Sequence, residues 1–290
     1  MQYTVLLFTI CFLLRLPQQA RRSRGQTTGY TKPSRTTNRH QPVKVMHWNA
    51  EGVLNKQTDL QHVLHENNIT ICCIQETHLQ TKRSFKVRGY QCFRSDRIGR
   101  SKGGILTLVR NNIDAIQTTT HMDDSEFQVL NLKKKDFHMK LVNLYSPNDK
   151  ALSLNALPAV EDHYLVVGDF NSHSQSWGYD HIDKRGEEVE NWQDDHRLNL
   201  INKPEDQPTF YSRRWRTTST PDLAFCTDDL DGQINREVRE QLGGSDHRPV
   251  LLTMNTYISC DSTLPRWNYK ILYSQLTDQI LQSNNIRLFT

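Results

Sequence analysis

The tightest constraint on this chain is where its polar residues fall. Apolar runs of strand length repeatedly stop at a residue able to bind a metal or a phosphate. Asn49 and Glu51 follow VKVMHW, Glu76 follows ITICCIQ, Tyr145 and Asn148 follow KLVNL, and Asp169 and Asn171 follow YLVVG. Asp222 opens PDLAFC, and Asp246 with His247 opens the last such run, RPVLLTMN. A lone acid after a strand is a turn or cap residue. The same arrangement at one strand end after another points to ends that converge on a common site. Its carboxylates suit Mg2+, which prefers hard oxygen ligands.

The runs outnumber the helices. Amphipathic spacing predicts helices only over LNKQTDLQHVLHENN and EEVENWQDDHRLNL, whereas strands are expected at VKVMHWN, ITICCIQ, GGILTLV, EFQVLNLK, FHMKLVNLY, HYLVVGDF, PDLAFC and RPVLLTMN. EFQVLNLK and FHMKLVNLY are joined by a KKKD turn, a hairpin and not a crossover. Such a pattern predicts a mixed α/β layered fold rich in antiparallel sheet and excludes a doubly wound dinucleotide fold. Residues 1–42 read as a hydrophobic then basic, disordered leader, 43–257 as the folded domain, and 258–290 as a linker or truncated extension.

Composition mostly excludes. The 290 residues are 36% hydrophobic with a mean hydropathy of −0.69, which rules out an integral membrane protein or a coiled coil. No stable membrane association is expected. The net charge of +4 misleads, because residues 1–50 hold eight basic residues and no acid, leaving 28 basic against 32 acidic residues and a net of −4 in the remainder. Composition therefore gives no licence for DNA binding. The six cysteines show no CxxC spacing and read as reduced, structural thiols. The apolar run YTVLLFTICFLL is too short to span a bilayer but has the length of a signal-peptide core. A nuclear or cytoplasmic location is expected, or secretion if residues 1–20 act as a signal peptide.

Gly99, Ser101 and Gly103 match the nucleophile-elbow pattern, yet a basic loop precedes them and a strand follows, so the pattern is a decoy. A stronger resemblance lies in HWNAEG, IQETHL, GGILTLV, LYSPN, GDFNSH, PDLAF and GSDHRPV. These stand in the order found in the endonuclease/exonuclease/phosphatase family, covering about residues 43–256. GDFNSHSQSWG, with Trp177 and Gly178, resembles the endonuclease of jockey-type non-LTR retrotransposons, and PRWNYK resembles the segment joining that endonuclease to a reverse transcriptase. Asn148 stands where pancreatic-type deoxyribonucleases have His, which leans toward the AP-endonuclease-like side. Glu51 stands where AP endonucleases carry Asp.

The resemblance implies a four-layer sandwich of two mixed, largely antiparallel sheets flanked by helices. It implies a metal-dependent endonuclease that nicks DNA and leaves 3′-hydroxyl and 5′-phosphate ends. Glu76 would be the principal ligand for Mg2+, with Asn49, Glu51 and Asp246 near it and Mn2+ able to substitute. Asp169 would act as base or water-orienting carboxylate with Asn171. His247, oriented by Asp222, would donate to the phosphate, and Tyr145 and Asn148 would add contacts. The implied partners are DNA and a polymerase domain or protein of a parent element. For DNA binding, Arg213, Arg214, Trp215 and Arg216 precede PDLAF in a polar turn, and Arg94, Arg97, Arg100 and Lys102 are the next candidates. Two alternatives stay open: a secreted deoxyribonuclease or other phosphodiesterase or phosphatase of the same fold, and an inactive fragment that only binds.

Overall fold

The structure is a computed structural model that describes residues 39–99, 102–135 and 137–260. The apolar leader run, Arg100, the decoy serine Ser101, Asp136 of the KKKD turn and the PRWNYK segment lie outside the described residues.

Two six-stranded sheets account for most of the domain. The first has the order β13–β14–β1–β2–β4–β3, built from β1 (Arg39–Asn49), β2 (Ile71–Gln75), β3 (Tyr90–Ser95), β4 (Ile105–Arg110), β13 (Ile234–Val238) and β14 (Val250–Cys260). The second has the order β5–β6–β7–β8–β12–β9, from β5 (Asp114–Met122), β6 (Glu126–Lys134), β7 (Phe137–Tyr145), β8 (Tyr164–Asp169), β9 (Asn199–Leu200) and β12 (Asp222–Cys226). A separate hairpin pairs β10 (Phe210–Ser212) with β11 (Thr217–Ser219). Only β1 with β2 and β7 with β8 run parallel; the other ladders are antiparallel.

Alternation along each central strand sorts side chains into layers. Val43 and Val45 of β1 face a core shared with Leu165, Val167 and Ala224 of the other sheet. Met46 and Trp48 face outward, onto Leu60 and Leu64 of α1 (Gln57–Glu66). On the far side, Tyr164, Val166 and Phe225 pack against Val189 and Trp192 of α2 (Lys184–Asp195). The expected sandwich of two sheets with helices outside is therefore the observed one. Among the described residues, no helix is long and apolar enough to cross a membrane.

The second helix departs from its expected limits. It opens at Lys184 because the side chain of Asp183 caps the first turn through the Gly186 amide, at 2.6 Å. It closes by Asp195, and the chain turns through Arg197 at φ 51° so that Asn199 and Leu200 join the second sheet as β9. Strands β3, β5, β9 and β13 carry no long apolar run, and each is a sheet edge. Trp177 is core packing: it is buried and donates its indole N–H to the Ser172 carbonyl, at 3.0 Å. Cys72, Cys73, Cys92 and Cys226 are free thiols, as their spacing predicted.

Candidate active site

Register brings the predicted residues together. Asn49 and Gln75 are partners at the carboxyl ends of parallel β1 and β2, so Glu76 emerges beside Asn49. Tyr145 and Asp169 are partners at the carboxyl ends of parallel β7 and β8. Asp222, at the start of antiparallel β12, pairs with Asp169. His47 pairs with Val250, which puts the approach to β14, and with it His247, at the same rim. Carboxyl ends of parallel strands are where such sheets bind ligands.

Asn49 is the bridge between the sheets. Its amide nitrogen donates to Glu76 Oε1 at 3.0 Å and to Asp169 Oδ2 at 2.8 Å. Glu76 also meets His78 Nε2 at 3.0 Å. Burial favours the neutral Glu76 acid, but hydrogen bonds from His78, Asn49 and Tyr145 win and hold its carboxyl down to about 2. Tyr145 is pushed the other way by burial and by the Glu76 and Asp169 charges, so its hydroxyl stays protonated.

Across the cleft, His247 lies between two carboxylates. Its Nδ1 is 2.8 Å from Asp222 Oδ2, and its Nε2 is 4.0 Å from Asp169 Oδ2. Thr209 donates to the same Asp222 oxygen at 2.5 Å, and Phe210 packs against the imidazole ring at 4.9 Å. Burial opposes charge on His247, yet the Asp222 carboxylate raises it well above its ordinary range, so the ring is an imidazolium at neutral pH. The same pairing overcomes burial at Asp222 and lowers it. Burial raises Asp169 above the usual carboxylate range; His247 pulls against this and Asp222 adds to it.

Ligand atoms of Asp169, Asp222 and His247 lie within 4.8 Å of one another. The 2.8 Å contact of His247 with Asp222 and its 4.0 Å approach to Asp169 also let the same three groups hold and pass a proton. Glu76, ionised and beside the Asn49 carboxamide, offers the oxygen donors that fit a hard divalent ion.

The other predicted residues sit farther out. Asn171 caps Asp169 with its backbone N–H at 3.2 Å and spends its side-chain amide on the Ser146 carbonyl at 3.1 Å. Asn148 is exposed in the turn after β7. Glu51 is exposed at the rim, 3.8 Å from Arg213 Nη2, and Asp246 is half-buried beside it. The hairpin reaches this rim through a Tyr211 N–H bond to the Asp246 carbonyl, at 2.9 Å. Arg213 donates to the Gly244 carbonyl at 2.5 Å, Arg214 stacks on Trp215 at 4.7 Å, and Trp215 is 69% exposed, not tucked onto the sheet. Arg216 is exposed.

Two contributors had no expected role. Arg185 of α2 donates to the carbonyls of Phe170 (2.8 Å), Asn171 (2.8 Å) and Lys150 (2.7 Å) and to Ser146 Oγ (2.6 Å), tying the loops after β7 and β8 together. Nothing in a helical Arg announces this. His78 stands in the IQETHL block, where its spacing from Glu76 was the available signal.

Comparisons with known proteins agree with this fold. Residues 139–251 match the family described as endonuclease-reverse transcriptase. Two Drosophila melanogaster relatives are named as probable RNA-directed DNA polymerases. That from transposon BS is 25% identical over 51% of this chain and 17% of its own length; that from transposon X-element is 22% identical over 81% and 27%. The chain thus spans about a quarter or less of these relatives. In three dimensions it resembles the endonuclease domain of TRAS1, a telomere-specific non-LTR retrotransposon (24% identity, TM-score 0.63, 74% of this chain and 98% of that one). It also resembles the AP endonuclease LMAP from Leishmania major (16% identity, TM-score 0.60, 74% and 88%). Matched segment, relatives and fold thus agree in one likeness: the chain is similar to endonuclease-reverse transcriptase proteins of transposons and shares the fold of the TRAS1 endonuclease domain.

Proposed function

We propose that this nuclease-fold domain is a Mg2+-dependent endonuclease that nicks DNA, leaving 3′-hydroxyl and 5′-phosphate ends. One observation carries the reading: a buried carboxylate and a buried imidazolium face each other 4.0 Å apart where both sheets end. Asp169, with its raised proton affinity, is suited to take a proton from an attacking water near neutral pH. Asn49 and the Asn171 amide hold it in place. His247, charged by Asp222, donates from Nε2 to a phosphate oxygen as negative charge builds. The protonated Tyr145 hydroxyl donates to Glu76 and so keeps that carboxylate ionised beside the phosphate site, and Asn148 and Asn171 line the approach. Glu76 and Asn49 would hold Mg2+, or Mn2+ in its place, with Asp246 and Glu51 across the rim; when bound, the ion neutralises charge on the phosphate and the leaving oxygen. The names of the relatives support DNA as substrate and a polymerase of the same element as partner.

Supercoiled plasmid with Mg2+ tests this. Nicking should occur, stop with chelator, and fall at least ~10²–10³-fold in Asp169→Asn and His247→Ala. Glu76→Gln should be partly rescued by more Mg2+. Wild-type nicking by His247→Ala would overturn the assignment. Hydrolysis of a lipid phosphodiester in preference to plasmid would move the substrate class.

A further inference from the structure

Just beyond Asn171 the chain leaves the cleft and closes a loop on itself. The Asp183 amide donates to the His173 carbonyl and the His173 amide donates to Asp183 Oδ1, both at 3.1 Å. The stem presses on the first turn of α2 so closely that a Cβ on Gly186 would lie 1.8 Å from the His173 carbonyl oxygen. The two ends of the loop are therefore held rigidly.

Inside this loop His173 Nδ1 lies 3.3 Å from His181 Nε2. Two imidazole nitrogens bound to one tetrahedral Zn2+ at about 2.0–2.1 Å stand roughly 3.3–3.4 Å apart. Each ring is also oriented. His181 Nδ1 is 2.5 Å from Asp180 Oδ1, the carboxylate-behind-imidazole arrangement that fixes the tautomer of a metal-binding His and turns its Nε2 lone pair outward. His173 lies flat on Tyr179, with ring centroids 4.1 Å apart and planes 13° apart. Asp183 uses Oδ1 for capping, while its Oδ2 stands 3.8 Å from His173 Nδ1. Two rings meeting nitrogen to nitrogen cannot both be protonated there. Burial, together with the neighbouring His181, lowers the His173 proton affinity and outweighs Asp183 and Asp180. Both rings remain open to solvent, at 40% and 59% side-chain exposure.

We propose that His173 and His181 together bind a transition-metal ion of the Zn2+ class, with water completing its coordination, at a site separate from the oxygen-lined cleft. Imidazole donors select Zn2+, Co2+, Ni2+ or Cu2+ over Mg2+. The ion would brace the loop that carries Tyr179, whose hydroxyl bonds Ser219 and the Thr220 backbone next to Asp222.

Co2+ is the probe, titrated into the full chain in excess Mg2+ and followed by its visible d–d absorption. One equivalent should bind, be displaced by Zn2+, and be indifferent to Mg2+. His173→Gln and His181→Gln leave the Asp183 cap intact, and circular dichroism checks that they fold. Each should weaken Co2+ at least ten-fold, and Zn2+ should raise the Tm of the wild type but not of the double variant. Undiminished Co2+ binding by the folded double variant would overturn the site. So would loss of binding in Glu76→Gln instead, or no Co2+ or Zn2+ binding by the wild type at millimolar metal; an imidazole–imidazole hydrogen bond would then account for the pair.

Discussion

His247 gains its charge from Asp222 rather than from solvent, and that ties stability to pH. An imidazole whose folded pKa lies above its unfolded value of about 6.5 contributes fully below that pH and loses the contribution as pH rises through the folded value. Asp169 acts in the same direction: a carboxyl raised on folding adds a cost that grows as pH climbs above about 4. Asp222, lowered on folding, limits the pair only in acid. Unfolding free energy, measured by urea from pH 6.5 into the alkaline range, should therefore fall in the wild type. His247→Gln should flatten that slope; an identical slope would mean the imidazolium is not the source.

At the scale of elements, α2 and the β10–β11 hairpin supply what the strands cannot. Arg185 fastens six acceptors from two loops, and its planar fork makes Lys a poor substitute. Arg185→Ala should cost about 2–4 kcal/mol in denaturant unfolding, because it strands half-buried carbonyls. Arg185→Lys should recover little of the loss. For DNA, two residues of the alternative basic loop are committed within the protein: Arg94 binds Asp96 at 2.5 Å, and Arg97 binds the buried Glu126 and stacks on Tyr145 at 5.8 Å. The hairpin, with exposed Arg214 and Arg216, is the better candidate. Replacing Arg213, Arg214 and Arg216 by Ala should flatten the slope of log affinity against log salt by up to ~2.7, at about 0.9 per phosphate contact. Turnover of a small phosphodiester should barely change. An unaltered slope in the folded variant would remove the hairpin from the interface.

Across the whole molecule, the two sheets are joined beneath the cleft by a buried chain of hydrogen bonds. Gln75 donates to Asn143 at 2.7 Å, Asn143 to Thr107 at 3.1 Å, Thr107 to Gln128 at 2.9 Å, and Gln128 to Ser95 at 2.8 Å. Gln75, Thr107 and Ser95 belong to one sheet, Asn143 and Gln128 to the other, so the chain crosses the interface repeatedly. Asn143→Ala leaves Gln75 and Thr107 short of a partner and should destabilise the domain by about 2–4 kcal/mol. Because the chain starts one residue from Glu76, nicking should fall by more than the loss of folded protein explains. A change under about 0.5 kcal/mol would show that the sheets are joined by apolar packing alone.

Central strands and the chemistry at their ends were legible in the chain itself, because a strand buried on both faces is mostly apolar along its length and turns polar where it leaves the core. That is why Glu76, Tyr145, Asp169, Asp222 and His247 stood out as residues. Edge strands β3, β5, β9 and β13 escaped notice because one side of each has no neighbour, and polar residues are tolerated there. The tertiary structure alone decided which strand ends meet. Parallel pairing of β1 with β2 and of β7 with β8 sets Asn49 between Glu76 and Asp169, and leaves Glu51 and Asn148 at the rim. It alone could reveal Arg185 and the His173–His181 pair, whose roles depend on distances between segments that local pattern does not encode.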